Sequence, residues 1–296
     1  MNSHTAPAPL PGLLLRLNGP LQSWGERSHF NDRDTAPFPT RSGVIGLLSS
    51  ALGRHRNTSP TDLTHLSLTV RTDRPGVLLR DLHTVGGGLP PKATVSTAEG
   101  KKRSADTSTV VTHRTYLADA AFTIAITTAA TATATATAGP NQTDESADTA
   151  LLDLCARALN TPRWPLYLGR RSCQPEGPLL LGRSNDALHH LIHLPLAAAG
   201  PHPRGVEFLS DRPLDQLPVP QELITLDSPD GAHPTSQAND EPVTFDPRRR
   251  TYRARPLYRR TLHLPHAQYT GLGTSHLASL QTYVTAHLGH PEESVQ

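Results

Sequence analysis

Short apolar runs alternate along the chain with polar, turn-rich segments, and the period of each run sets the first expectations. Leu13 to Leu17, bounded by the turn Asn18-Gly19-Pro20, reads as a strand. A polar loop follows from Gln22 to Pro39 and carries Trp24, Arg27, His29, Phe30 and Arg33. Val44, Ile45, Leu47, Leu48, Ala51 and Leu52 recur at helical spacing. That spacing predicts a short helix over Arg41 to Leu52, with Thr40 as its N-cap and Gly53 as its stop. Gly43 and Gly46 lie inside it. Each costs about 1 kcal/mol relative to alanine, so something must approach the helix closely there. A sheet, a neighbouring helix or a nucleic-acid backbone would serve.

Leu66 to Arg71 and Val77 to Leu82 read as strands joined by a turn over 72–76. The segment from His83 to His113 has little to bury. It holds Gly86-Gly87-Gly88, Pro90-Pro91 and Lys101-Lys102-Arg103 among many Ser and Thr residues. A strand predicted over Arg114 to Ile126 follows it, so the segment reads as a long exposed arm or hairpin. The Ala/Thr alternation of 127–138 and the polar stretch to 149 read as a solvated loop. Ala150 to Leu159 has a helical pattern, and Leu166 to Gly169 reads as a strand end leading into Arg170-Arg171-Ser172-Cys173. The order strand, helix, strand, strand, arm, strand, helix, strand predicts an α+β, ferredoxin-like (RNA-recognition-motif-like) domain. It would span 1–265, with the arm at about 83–113 and the low-complexity loop at about 127–149. Residues 266–296 would form a C-terminal tail or short helix.

Charge first argues against a nucleic-acid partner, because 28 Lys and Arg stand against 26 Asp and Glu, a net +2 over 296 residues. The balance dissolves by segment. Residues 16–116 carry 14 basic against 8 acidic residues, 211–246 carry 1 against 8, and 248–260 hold seven arginines with no acid. A polyanion responds to such local patches rather than to the sum. The opposing reading is that the acidic stretch folds back and neutralises the basic strand at 248–260. Of the 28 basic residues 25 are Arg. Coding bias accounts for that as well as a need for forked phosphate contacts does.

Two cysteines, Cys155 and Cys173, exclude a disulfide-dense scaffold and a paired CxxC zinc site, and read as reduced, buried thiols. There is no HExxH, and His189-His190 lacks ligand spacing, so no metal or other cofactor is expected. With no signal-peptide pattern and no run near the roughly 20 apolar residues of a membrane helix, the expectation is a soluble, cytoplasmic protein with no membrane partner.

Five blocks carry a resemblance. They are Leu17-Asn18-Gly19-Pro20-Leu21-Gln22-Ser23-Trp24-Gly25; the run from Phe38 to Leu48; Asp81-Leu82-His83-Thr84-Val85; the run from Thr112 to Phe122; and Tyr167-Leu168-Gly169-Arg170-Arg171-Ser172-Cys173. In this order, over about residues 13–182, they resemble the CasD (Cas-five) family of type I-E CRISPR-associated Cascade subunits, in the RAMP superfamily. The 127–138 tract and the long acidic segment depart from that pattern.

The resemblance implies a ferredoxin-like domain with an inserted β-hairpin thumb. It implies a non-catalytic subunit that caps the 5′ handle of crRNA and contacts the backbone and large subunits of Cascade, reaching target DNA only through the complex. The arm would be the thumb. Lys101, Lys102 and Arg103 near its tip, with Arg27, Arg114, Arg170 and Arg171, would hold RNA phosphates. Arg41 and Ser42 would offer a cation and N–H groups at a helix start. Tyr116 could stack a base or form part of the core, and Trp24 likewise. Two other readings stay open. One is a metal-independent crRNA-processing endoribonuclease built from His29, His83 or His113 with Tyr116 and Lys101 or Lys102. The other is an assembly module that touches RNA only incidentally.

Overall fold

The computed structural model describes residues 7–25, 28–29, 31–88, 90–94, 96–97, 100–104, 108–128, 142–215, 217–224 and 230–288. In chain order the strands are β1 (Gly12–Asn18), β2 (Leu21–Gln22), β3 (Ser28–His29), β4 (Asp32–Arg33), β5 (Leu66–Arg74), β6 (Val77–Val85), β7 (Val110–Ala118), β8 (Ala121–Thr128), β9 (Leu180–Ser184), β10 (Val206–Ser210), β11 (Pro234–Thr244) and β12 (Thr251–Leu262). The α-helices are α1 (Arg41–Ala51), α2 (Gln142–Asn160), α3 (Ala187–His193) and α4 (Gly273–His287). A seven-stranded sheet runs β11-β12-β10-β5-β8-β1-β9, with every pairing antiparallel. A second sheet runs β2-β7-β4-β3, with β6 also paired to β7.

The leucine run of β1 follows from its position. Side chains alternate across a strand. Leu13, Leu15 and Leu17 join Phe122, Ile124 and Ile126 of β8 in the core that takes in α1 and α2. Leu14 and Ala125 face the other way, into a second core with Leu191 and Ile192 of α3 and Leu280 of α4. A sheet covered on both faces requires apolar residues on both phases of its central strands. Each fully buried leucine contributes about 1.5–3 kcal/mol.

Helix α1 starts where the pattern placed it. Thr40 accepts from the Gly43 amide at 3.3 Å, and Gly53 just past the helix has φ +70°. A close neighbour exists for one of its two glycines: a Cβ on Gly43 would stand 2.7 Å from Trp24 Cε3, whereas one on Gly46 would meet only Phe245 Cζ at 3.9 Å. Trp24 is fully buried and donates through Nε1 to Gln22 Oε1 at 3.0 Å. It is a core residue and offers no base a platform.

Several expectations need correction. The strand expected over Arg114 to Ile126 breaks at Asp119, which has φ +57°, and its halves β7 and β8 lie in different sheets. The arm is longer than 83–113, because β6 and β7 pair in unbroken register from Val77↔Ala118 to Val85↔Val110. The loop expected to 149 yields to α2 from Gln142, while 129–141 lie outside the described residues. Leu166 to Gly169 is not a strand; β9 takes the sheet edge instead. Part of the acidic stretch is strand β11, paired along β12. The segment expected as a tail or short helix holds the 15-residue α4, which buries His276 and Leu280.

Candidate nucleic-acid interface

The root of the arm is where cations collect. Strand β4 lies parallel to β7 in the register Asp32↔His113 and Arg33↔Arg114, so two arginines distant in sequence stand side by side. A loop over 166–173 closes against them. Its course depends on Gly169, at φ +98°, where a Cβ would stand 1.7 Å from the Ser23 carbonyl oxygen. The chain is pinned there by Ser23 N–H to Leu168 O at 2.9 Å and Leu168 N–H to Cys173 O at 2.8 Å. This delivers Arg170, whose Cζ lies 4.7 Å from the centre of the Tyr116 ring. Its Nη1 donates to Thr115 O at 3.0 Å, and its Nη2 to Arg33 O at 2.9 Å and Asp34 O at 3.1 Å.

Arg170 therefore ties β4 and β7 together through carbonyls, and no carboxylate among the described residues neutralises it. Arg171 and Arg33 are exposed, and Arg114 is half-buried with its Nε lacking any partner. On the neighbouring strand Arg80 is exposed and only 3.8 Å from the equally exposed Asp32. Sequence reasoning does not single out Arg33 or Arg80 as site residues. Nothing local distinguishes them, and only the β4–β7 and β6–β7 registers bring them to the site.

Further out on the arm Lys101 is exposed. Lys102 Nζ donates to Thr94 O and Thr94 Oγ1 donates to Arg103 O, both at 2.9 Å. Arg103 Nε is buried without a partner. Arg27 lies outside the described residues.

Arg41, Ser42 and Tyr116 do not join this surface. Arg41 is 4% exposed, with Nε bound to Glu241, Nη1 to Asp211 and Nη2 to Thr64 O at 2.6 Å. Its own amide donates to Asp240 Oδ2 at 2.6 Å, so a carboxylate already occupies the start of α1. Ser42 is buried beside Thr40. Tyr116 is 5% exposed and lies under Arg170, leaving no open ring face for a base. The residues considered for RNA cleavage also separate. His83 pairs across the hairpin with Thr112 and His113 with Leu82. Cross-strand partners share a face and neighbours in a strand alternate, so the two imidazoles point to opposite faces. The His29 side chain lies outside the described residues.

On β12 both open readings find a part. Arg255 pairs with Asp240, so part of the acidic stretch does fold back, while Arg259 pairs with Glu207 outside that stretch. Arg248, Arg249, Arg250 and Arg253 are exposed and form no ion pair among the described residues. Among those residues, too, no helix is long and apolar enough to cross a membrane.

Comparison with known proteins places the chain. The family described as CRISPR-associated protein (Cas_Cas5) matches residues 12–258. The CRISPR system Cascade subunit CasD of Escherichia coli (strain K12) is 32% identical over 243 residues, which cover 80% of this chain and 90% of that protein. A chain of a solved CRISPR RNA-guided surveillance complex superposes with a TM-score of 0.71 at 36% identity, covering 93% of this chain and 99% of the other. A crystal structure described as a Cas protein gives 0.52 at 31% identity, covering 89% and 99%. A match running from the first strand into β12, with relatives aligned over most of both chains, means that the chain belongs to the Cas_Cas5 family of CRISPR-associated proteins.

Proposed function

We propose that the chain is a non-catalytic subunit of a type I-E CRISPR Cascade surveillance complex, and that the root and outer part of its arm grip the 5′ handle of crRNA. The observation that carries this reading is the group Arg33, Arg114, Arg170 and Arg171. These four arginines form no ion pair among the described residues, although Asp81 stands opposite Arg114 across the hairpin, and they meet where β4, β7 and the 166–173 loop join. Arginine forks and a narrow strip of cations suit the backbone of single-stranded RNA. Lys101 and Arg103 would extend the strip along the arm.

The strand order β9-β1-β8-β5, with α1 after β1 and α2 after β8, supports a ferredoxin-like reading of the central unit. In that reading β6 and β7 are the inserted thumb, and the whole forms a single domain. Strand β6 supports subunit contact. Among the described residues it pairs on one side only, and it exposes Val77, Leu78, Leu79 and Leu82, an apolar edge that a partner would cover. The backbone and large subunits of Cascade are the proposed partners, and guide pairing would select target DNA. Tyr116, buried beneath Arg170, is closed off from a reacting ribose, which argues against the endoribonuclease alternative. A cytoplasmic site of action fits an RNA-guided complex.

The test is titration of handle RNA by fluorescence anisotropy at several salt concentrations. Each released single-strand phosphate contact removes about 0.7 from the slope of log K against log salt. Arg33→Glu and Arg171→Glu should each lower affinity and flatten that slope. Unchanged affinity and slope in both variants would remove the arm root from the RNA surface.

A further inference from the structure

A cavity of about 310 Å³ lies beside the foot of the arm, between the end of β1 and the start of α4, with Asp119 just past β7 in its wall. It is lined in part by Arg16, Asn18, Arg74 and Glu176 from one side and by Gly273 and His276 of α4 from the other. Helix α4 begins beyond residue 258, where the family match stops.

Three features mark the cavity as unfinished. Arg16 is 8% exposed, yet its Nε has no partner and it forms no ion pair among the described residues. Its one hydrogen bond, from Nη1, goes to the Glu176 carbonyl at 2.8 Å. Burial pushes its guanidinium below the ordinary value even though the Glu176 and Asp73 carboxylates act the other way, so an anion reaching the unpaired Nε would recover part of the burial cost. Asn18, 7% exposed, donates to Glu176 Oε2 at 2.6 Å and leaves its buried Oδ1 unpaired. The N-terminus of α4 opens into the same space with no side-chain cap, since Leu272 occupies the cap position, and a Cβ added at Gly273 would meet nothing within 4 Å. Free N–H groups and the helix dipole favour negative charge at that end. Burial chiefly pushes the His276 imidazole below its ordinary value, with Asp73 opposing and Arg16, Arg71 and Arg74 adding to the shift.

We propose that this cavity binds the phosphate group of a nucleotide, held by Arg16, Arg74 and the N-terminus of α4. Asp119 and Glu176 on its wall, with Asn18 Oδ1, would accept hydrogen bonds from ribose hydroxyls. The phosphate could belong to a free nucleotide or to an RNA strand, and the experiment separates the two.

The full chain, free of RNA, is titrated with AMP, inorganic phosphate and adenosine by calorimetry. AMP should bind saturably, phosphate more weakly, and adenosine not at all. Leu272→Asp is the decisive variant. Leu272 is 51% exposed and has extended dihedrals, φ −126° and ψ 166°, suited to an aspartate cap. The new carboxylate would cap α4 while occupying the anion position, so AMP affinity should fall at least about tenfold while Tm stays level or rises. Arg74→Gln should weaken AMP as well. Absence of saturable AMP binding to the parent chain, or parental affinity in Leu272→Asp, overturns the proposal. In the complex loaded with crRNA, loss of AMP binding would assign the site to an RNA phosphate, and retention to a free nucleotide. Because the first titration uses no RNA, its failure would leave the handle reading intact.

Discussion

Replacing Arg41 by alanine separates a structural arginine from an RNA-binding one. Arg41 joins four parts of the fold. It donates to Glu241 on β11, to Asp211 just past β10 and to Thr64 O before β5, from its own place at the start of α1. Asp211 also accepts from the Leu68 amide at 3.1 Å, and Asp240 accepts from the Arg41 amide. Alanine would leave Asp211 and Glu241, 11% and 17% exposed, without their cation. Removing one partner of a buried pair costs about 3–5 kcal/mol, mostly from the uncompensated charge left behind. At about 2–4 °C per kcal/mol for a chain of this size, Tm should fall by roughly 6–20 °C. Urea unfolding followed by circular dichroism gives the free energy, and handle-RNA affinity is measured well below the melting range. The expected outcome is a large stability loss with RNA affinity per folded molecule unchanged. Full stability together with a clear drop in RNA affinity would refute this assignment. Arg41→Met combined with Glu241→Leu should recover part of the loss, since it removes charge from both sides.

Two further outcomes follow from the packing. Gly43→Ala should destabilise by about 1–3 kcal/mol in urea unfolding, because its Cβ would meet the Trp24 ring at 2.7 Å and overpacking outweighs the helix-propensity gain; equal or higher stability would show that the indole yields. Acid should also weaken the fold. His189, His190 and His276 are held below their ordinary values, in each case chiefly by burial. Their unfolded forms therefore take up protons first as pH falls below about 6.5, and stability declines from there toward the depressed folded values. Urea unfolding at pH 7.5 and 5.5 should show lower stability at 5.5 with a smaller difference in His276→Gln, whereas equal stability at the two pH values would contradict this.

Local chemistry made α1 legible: Thr40, the 3.6-residue period and Gly53 all act within a few residues. The arm was legible as a segment with nothing to bury. Its true extent was hidden, because Val77, Leu78 and Leu79 read as a strand outside the arm although they are exposed and belong to it. The break at Asp119 was hidden for a related reason, since continuous apolar patterning does not show when a strand changes sheet. Charge was the most deceptive signal. Arg41 and Arg171 look alike as residues in matching motifs, but one is enclosed by acids nearly two hundred positions away and the other is open to solvent. Conversely, Arg33 reaches the candidate interface only through its parallel register with β7. The cavity at α4 depends on the C-terminal helix returning to the end of β1, a long-range contact with no local sign in the residues that line it.

The central claim is membership of an RNA-guided complex with this chain holding the guide's 5′ end. Co-expression of the tagged chain with its genomic neighbours and a CRISPR repeat-spacer transcript tests it most directly. The tag should bring down several other subunits with one RNA of uniform length, and a photoreactive base in the 5′ handle should crosslink to the arm or its root. Recovery of the chain alone, free of RNA and partners while all are expressed, would contradict it.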